Sequence, residues 1–226
     1  MPLTSNSTGH CIVIASIGRS GSTVLYKSIL GPRQGFLSRK LRKRDSFQQD
    51  LAKETMRPGA IIKTHDFPEP LLRRSEKIKV VFCFGSALEA ALSVYGKSIR
   101  NDQGWIRNHL EHLHATGGIE DLLSVDILRM GEQILSWATF QAVPVLCVKY
   151  DALWSNQEEI GEFCGRTLEL PVRKGRTPKD YPEEIVNTAI QTYGPIDAIA
   201  DQLPDIFLGS KHFDPLLSPL AKDFQR

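Results

Sequence analysis

The stretch that decides the fold is Cys11-Ile12-Val13-Ile14-Ala15-Ser16-Ile17-Gly18-Arg19-Ser20-Gly21-Ser22-Thr23-Val24-Leu25. Its first part is an unbroken apolar run, the pattern of a strand buried on both faces of a parallel sheet. The run breaks into small residues and glycine and then resumes with a helical pattern. A buried strand feeding such a turn leaves the first N–H groups of the helix without partners, and these donors, with the helix dipole, attract an anion. The segment therefore reads as a loop for phosphate or sulfate. An ATPase-type loop needs Gly-x-x-x-x-Gly-Lys-Ser/Thr. Nothing basic precedes Ser22 here, and the cation is Arg19, two positions before Gly21.

Three more apolar runs follow. Ala60-Ile61-Ile62-Lys63-Thr64-His65-Asp66-Phe67-Pro68 ends in a cation, a hydroxyl and a histidine, stopped by proline. Strand ends in parallel α/β sheets collect functional side chains at the carboxyl edge, so Lys63 and His65 are expected beside the first loop. Lys79-Val80-Val81-Phe82-Cys83-Phe84 leads through Gly85-Ser86-Ala87 into a helical stretch over 88–95. Val145-Leu146-Cys147-Val148-Lys149 reads as a late strand, followed by Tyr150-Asp151-Ala152-Leu153, a helix over 157–164 and the basic segment Pro171-Val172-Arg173-Lys174-Gly175-Arg176-Thr177.

Taken in order, these four segments, spread over residues 11–177, resemble the sulfotransferases that use 3′-phosphoadenosine 5′-phosphosulfate (PAPS). Arg19-Ser20-Gly21-Ser22-Thr23 resembles the family's 5′-phosphosulfate loop, and its arginine is closer to the carbohydrate-type and bacterial members. Lys63-Thr64-His65 resembles the cytosolic members, in which that histidine is the catalytic base. The resemblance implies an α/β fold, a three-layer α/β/α unit with a central parallel sheet of P-loop NTPase-like sulfotransferase architecture, as a single domain over 1–226. It implies an enzyme that moves a sulfuryl group from PAPS to an acceptor hydroxyl or amine, with no metal. His65 is then the general base, with Lys63 and Arg19 neutralising charge during transfer. Arg19, Ser20, Gly21, Ser22 and Thr23 bind the 5′-phosphate, and Ser93, Arg173, Lys174 and Gly175 bind the 3′-phosphate.

The chain departs from the family at several of these positions. Gly85 stands where the family has an arginine, Val24 where it has the tryptophan that stacks on adenine, and Pro178 where its Arg-Lys-Gly-x-x-Gly loop has a second glycine. Asp151 replaces a glutamate after Tyr150. Arg176 is expected to stand in for the arginine missing at Gly85. Two readings from other classes stay open: a nucleoside or small-molecule kinase of the same architecture, and a catalytically silent nucleotide-binding module.

With 226 residues and a net charge of +2, the chain is long enough to bury a sizeable core and too weakly charged for general nucleic-acid binding. No apolar stretch has the length of a membrane span, and Met1-Pro2-Leu3-Thr4-Ser5-Asn6 lacks the parts of a signal peptide, so a cytoplasmic protein without membrane insertion is expected. Cys11, Cys83 and Cys147 fall within strands and read as small buried residues. The run Arg39-Lys40-Leu41-Arg42-Lys43-Arg44 reads as a solvated helix face or as a contact for an acidic acceptor. A small molecule, a glycan, a lipid or a peptide hydroxyl all remain as acceptors, with the pocket walls expected from 31–58 and 95–118. His109, His112 and His114 read as a wet helix surface and not as a metal site, Trp105, Trp137 and Trp154 as core anchors, and 209–226 as an irregular tail.

Overall fold

The computed structural model describes residues 9–31, 50–100, 102–173 and 181–222. The basic run at 39–44 and the positions Lys174, Gly175, Arg176 and Pro178 lie outside the described residues. The strands are β1 (Cys11–Ser16), β2 (Ile61–Thr64), β3 (Ile78–Phe84), β4 (Val145–Lys149) and β5 (Ile206–Leu208). The helices are α1 (Ser22–Leu30), α2 (Ala87–Ser98), α3 (Gln103–His112), α4 (Met130–Thr139), α5 (Gln157–Cys164), α6 (Glu183–Ala200) and α7 (Asp214–Lys222). The four apolar runs thus become β1 to β4, and α5 has the bounds read from the sequence.

The sheet runs in the order β2-β1-β3-β4-β5. Strands β1 to β4 are parallel, and β5 pairs antiparallel with β4. That reversal departs from an all-parallel sheet, and three residues gave no periodicity from which to read it. Both faces are covered, as parallel strands require. Cys11, Val13 and Ala15 of β1, with Val80, Phe82 and Phe84 of β3, join a core built with α2, α4, α6 and α7. Ile12 and Ile14, with Val81 and Cys83, join a second core built with α1 and α5 on the opposite face.

The sheet order positions the site. The chain leaves β1 for β2 on one side, while β3 flanks β1 on the other, and an open α/β sheet has its crevice at such a switch of direction. The register brings the three strand ends level, with Ala15 opposite Thr64 and Ser16 opposite Cys83.

The tail is not irregular. Residues 211–213 form a 3₁₀ turn and α7 follows, burying Leu217 and Leu220 against α4. Pro215 sits in the first turn of α7, where its missing N–H costs nothing. Pro219 removes one helical bond, and two leucines three residues apart on one face offset that loss. All four cysteines are free and buried, and burial pushes the thiols of Cys11 to about 11 and Cys83 to about 12. No helix among the described residues is long and apolar enough to cross a membrane.

Candidate functional site

The turn after β1 reverses the chain in very little space. Gly18 and Gly21 have φ of 83° and 84°, and Arg19, at φ 54°, takes the left-handed conformation that side chains seldom adopt. Gly21 is required there for a second reason. A Cβ at this position would lie 2.6 Å from Leu153 Cδ1 and 2.8 Å from the Tyr150 ring. Gly21→Ala is therefore expected to lower stability by about 1–2 kcal/mol, read as a shift of the urea midpoint, and to weaken anion binding. Val24 and Leu25 are the first residues of α1 to donate back, both to the Gly21 carbonyl at 2.9 and 3.1 Å. The earlier N–H groups, from Ser22 and Thr23, belong to the helix end that lacks intrahelical acceptors.

Side chains fasten this loop to both neighbouring strands. The Ser20 hydroxyl donates to the carbonyl of Cys83 at the end of β3, 2.8 Å away. The Ser16 hydroxyl donates to Ser22 Oγ at 2.8 Å. His65 Nδ1 lies 2.8 Å from the Ser16 carbonyl and 3.0 Å from the Ser16 hydroxyl. A carbonyl only accepts, so Nδ1 carries the proton and Nε2 holds the lone pair. Lys63 Nζ stands 3.5 Å from that Nε2.

Lys63 and His65 are both buried, at 3% and 4% exposure. Burial holds the Lys63 ammonium down to about 8, which still leaves it mostly charged at neutral pH. Burial and then the Lys63 charge hold His65 well below the ordinary imidazole value, so it is neutral and basic at Nε2. A negative ligand in the loop would act in the opposite sense, favouring protonation of His65.

Arg19 crosses to α2, where its Nε donates to Ser93 Oγ at 3.0 Å. Its Cζ lies 6.0 Å from the Trp105 ring centroid, and Lys97 Nζ lies 5.4 Å from the same ring. Thus Arg19, Ser20, Gly21, Ser22, Thr23, Lys63, His65 and Ser93 gather at one edge of the sheet. Arg173 does not reach Ser93. It pairs with Asp151 and lies over Tyr150 and Trp154, at 5.5 and 5.4 Å from their centroids. Among the described residues, the guanidinium on Ser93 is that of Arg19.

One expectation needs correction. His109 is not on a wet surface: it is 5% exposed, stacks on Trp105 at 4.4 Å and meets the His65 ring edge-on at 6.1 Å. A Cβ on Gly18 would lie 3.3 Å from its Cε1, so His109 forms a wall of the loop. It also completes the apolar stripe Ile106, His109, Leu110, Leu113 at i, i+3, i+4, i+7, a signal that grouping it with His112 concealed. Of the tryptophans, only Trp137 is a fully buried anchor, donating to the Asp66 carbonyl at 3.1 Å. Trp105 and Trp154 are half-buried and pack against the two cores, beside Arg19 and Arg173. No group of three or more potential metal-ligating side chains occurs among the described residues.

Burial, with Arg19 and Lys63 nearby, pushes His109 down to about 3. Its folded pKa is therefore depressed below the unfolded value of ~6.5, the unfolded chain binds the proton first, and stability present above ~6.5 is lost as pH falls towards 3. His65 acts with the same sign. Denaturant titrations between pH 7 and pH 4 should show stability falling by up to ~1.4 kcal/mol per pH unit for each such histidine. Asp126, held up at about 6 by burial, pulls the other way over pH 4–6. His109→Gln should flatten the slope, and comparison with the parent isolates the histidine.

Comparison of the chain with protein-family models and with curated proteins gives no match.

Proposed function

We propose that this chain is a sulfotransferase that moves a sulfuryl group from PAPS to an acceptor hydroxyl or amine. The observation that carries the reading is the meeting of an anion loop led by Arg19 with a neutral, tautomer-fixed histidine on the adjacent strand end. PAPS supplies a sulfuryl group and a phosphate leaving group. The donor set fits such a ligand: the N-terminus of α1 and the Ser22 and Thr23 hydroxyls take the 5′-phosphate. Arg19 and Lys63 face the negative charge that grows on the oxygens around the transferred group. His65 Nε2 takes the acceptor proton once Lys63 turns away from it towards that charge.

The 3′-phosphate is read beside Ser93, with Arg19 supplying the guanidinium. At Gly85, where the family has its arginine, a Cβ would lie 3.1 Å from the Tyr150 Cβ, a tight contact. Tyr150 and Trp154, with Arg173 over them, offer aromatic surface for the base in the absence of a tryptophan at Val24.

The kinase reading is less well supported. The carboxylates that follow strand ends are already engaged, Asp66 with the Leu51 N–H and His114, and Asp151 with Arg173. The silent-module reading keeps the nucleotide and drops the chemistry. Calorimetry is the test of the ligand class: adenosine 3′,5′-bisphosphate should bind at least ~10-fold more tightly than adenosine 5′-monophosphate, because one charge-assisted contact to a phosphate is worth that much. Equal affinities, or preference for magnesium ATP, would count against PAPS as the co-substrate.

A further inference from the structure

Two contacts join the anion loop to His65 in a line of three residues. Ser22 opens α1, Ser16 closes β1 and His65 follows β2. The Ser16 hydroxyl donates to Ser22 Oγ at 2.8 Å and lies 3.0 Å from His65 Nδ1. Ser16 is wholly buried and Ser22 and His65 nearly so, which keeps water from breaking the line.

We propose that Ser16 is a positioning residue that couples occupancy of the loop by an anion to the basicity of His65, with Ser22 as the ligand end of the relay. The directions of the bonds carry the argument. The Ser16 proton goes to Ser22, so Ser16 Oγ can only accept from Nδ1–H, alongside the Ser16 carbonyl. Ser22 uses a lone pair on Ser16 and keeps its own proton to donate, at the helix end where N–H groups collect. An anion that accepts this proton makes Ser22 Oγ a stronger acceptor for Ser16, and Ser16 in turn a stronger acceptor for Nδ1–H. Electron density at Nε2 rises, and the base strengthens when the loop is filled. The groups facing His65 are the Lys63 ammonium on β2 and the rings of His109 and His112 on α3, and all of them weaken its hold on a proton. None of these groups is routed through Ser16.

The role of the relay in transfer rests on the sulfotransferase reading, whereas the coupling needs only an anion. Its test is the ¹⁵N titration of the His65 ring by NMR in the whole chain, without ligand, with inorganic phosphate, and with adenosine 3′,5′-bisphosphate. The parent should show the Nδ1–H tautomer and an upward shift of the His65 titration by about one pH unit or more on saturation. Ser16→Ala keeps the carbonyl and the tautomer and should lose more than half of that shift. Ser22→Ala should do the same and Ser22→Thr should restore it, which keeps the test decisive if Ser16→Ala does not fold. Parent-sized shifts in both alanine variants would overturn the coupling and leave the sulfotransferase reading standing. A Ser16-dependent shift with phosphate, in a chain that ignores the bisphosphate, would sustain the coupling and remove the reading. If neither anion binds, both fall.

Discussion

Replacing His65 by alanine is expected to lower sulfuryl-transfer turnover by ~10²-fold or more while leaving the affinity for adenosine 3′,5′-bisphosphate close to that of the parent, because a general base acts only on the chemical step. His65 has what the role requires. Its Nδ1 proton is fixed by the Ser16 carbonyl, its Nε2 lone pair faces Lys63, and burial with a neighbouring ammonium keeps it neutral at physiological pH. The acid limb of kcat/KM, which reports the free enzyme, should accordingly lie below the ordinary imidazole value of ~6.5. Turnover assays of parent and variant over pH 5–8 would check both statements. Undiminished turnover in the variant would remove His65 from the mechanism.

The second large effect is expected at Arg19. Arg19→Ala should weaken adenosine 3′,5′-bisphosphate binding by about 1.5–3 kcal/mol, the usual size of a charge-assisted contact, and should slow transfer as well. It should weaken adenosine 5′-monophosphate less, because Nε of Arg19 lies on Ser93, where the 3′-phosphate is proposed to bind. Arg19→Lys should recover only part of the loss, since an ammonium cannot span two acceptors as a guanidinium does. Calorimetry of the three proteins against both nucleotides measures this. An alanine variant that binds as tightly as the parent would show that the loop is not the phosphate site.

Much of the scaffold is legible in the sequence, for a physical reason. Strands buried on both faces must be apolar throughout, so β1, β3 and β4 stood out as uninterrupted runs, and small residues after β1 marked a turn that side chains cannot fill. The placement of Lys63 and His65 followed from the parallel sheet, whose ends lie level. What escaped were contacts between segments remote in sequence. Arg19 meets Ser93, 74 positions away, and nothing in the local pattern of either says so. His109 looked like a solvated residue because its helix is polar overall, and only its packing against Trp105 and the loop removes it from water. Strand β5 owes its form to antiparallel pairing with β4, and helix α7 owes its form to the burial of Leu217 and Leu220, which overrode two prolines.

The most direct measurement is the transfer of ³⁵S from labelled PAPS to an acceptor or to water, with release of adenosine 3′,5′-bisphosphate, by the purified chain, using a set of phenolic, sugar and amine acceptors and water alone. The parent is predicted to release the bisphosphate above the buffer rate even without a matched acceptor, through slow hydrolysis. It should do so faster with one acceptor class, and His65→Ala and Arg19→Ala should lose that acceptor-dependent rate by ~10²-fold and ~10-fold or more. Release at the buffer rate under every condition, or an acceptor-dependent rate that survives in His65→Ala, would contradict sulfuryl transfer at this site.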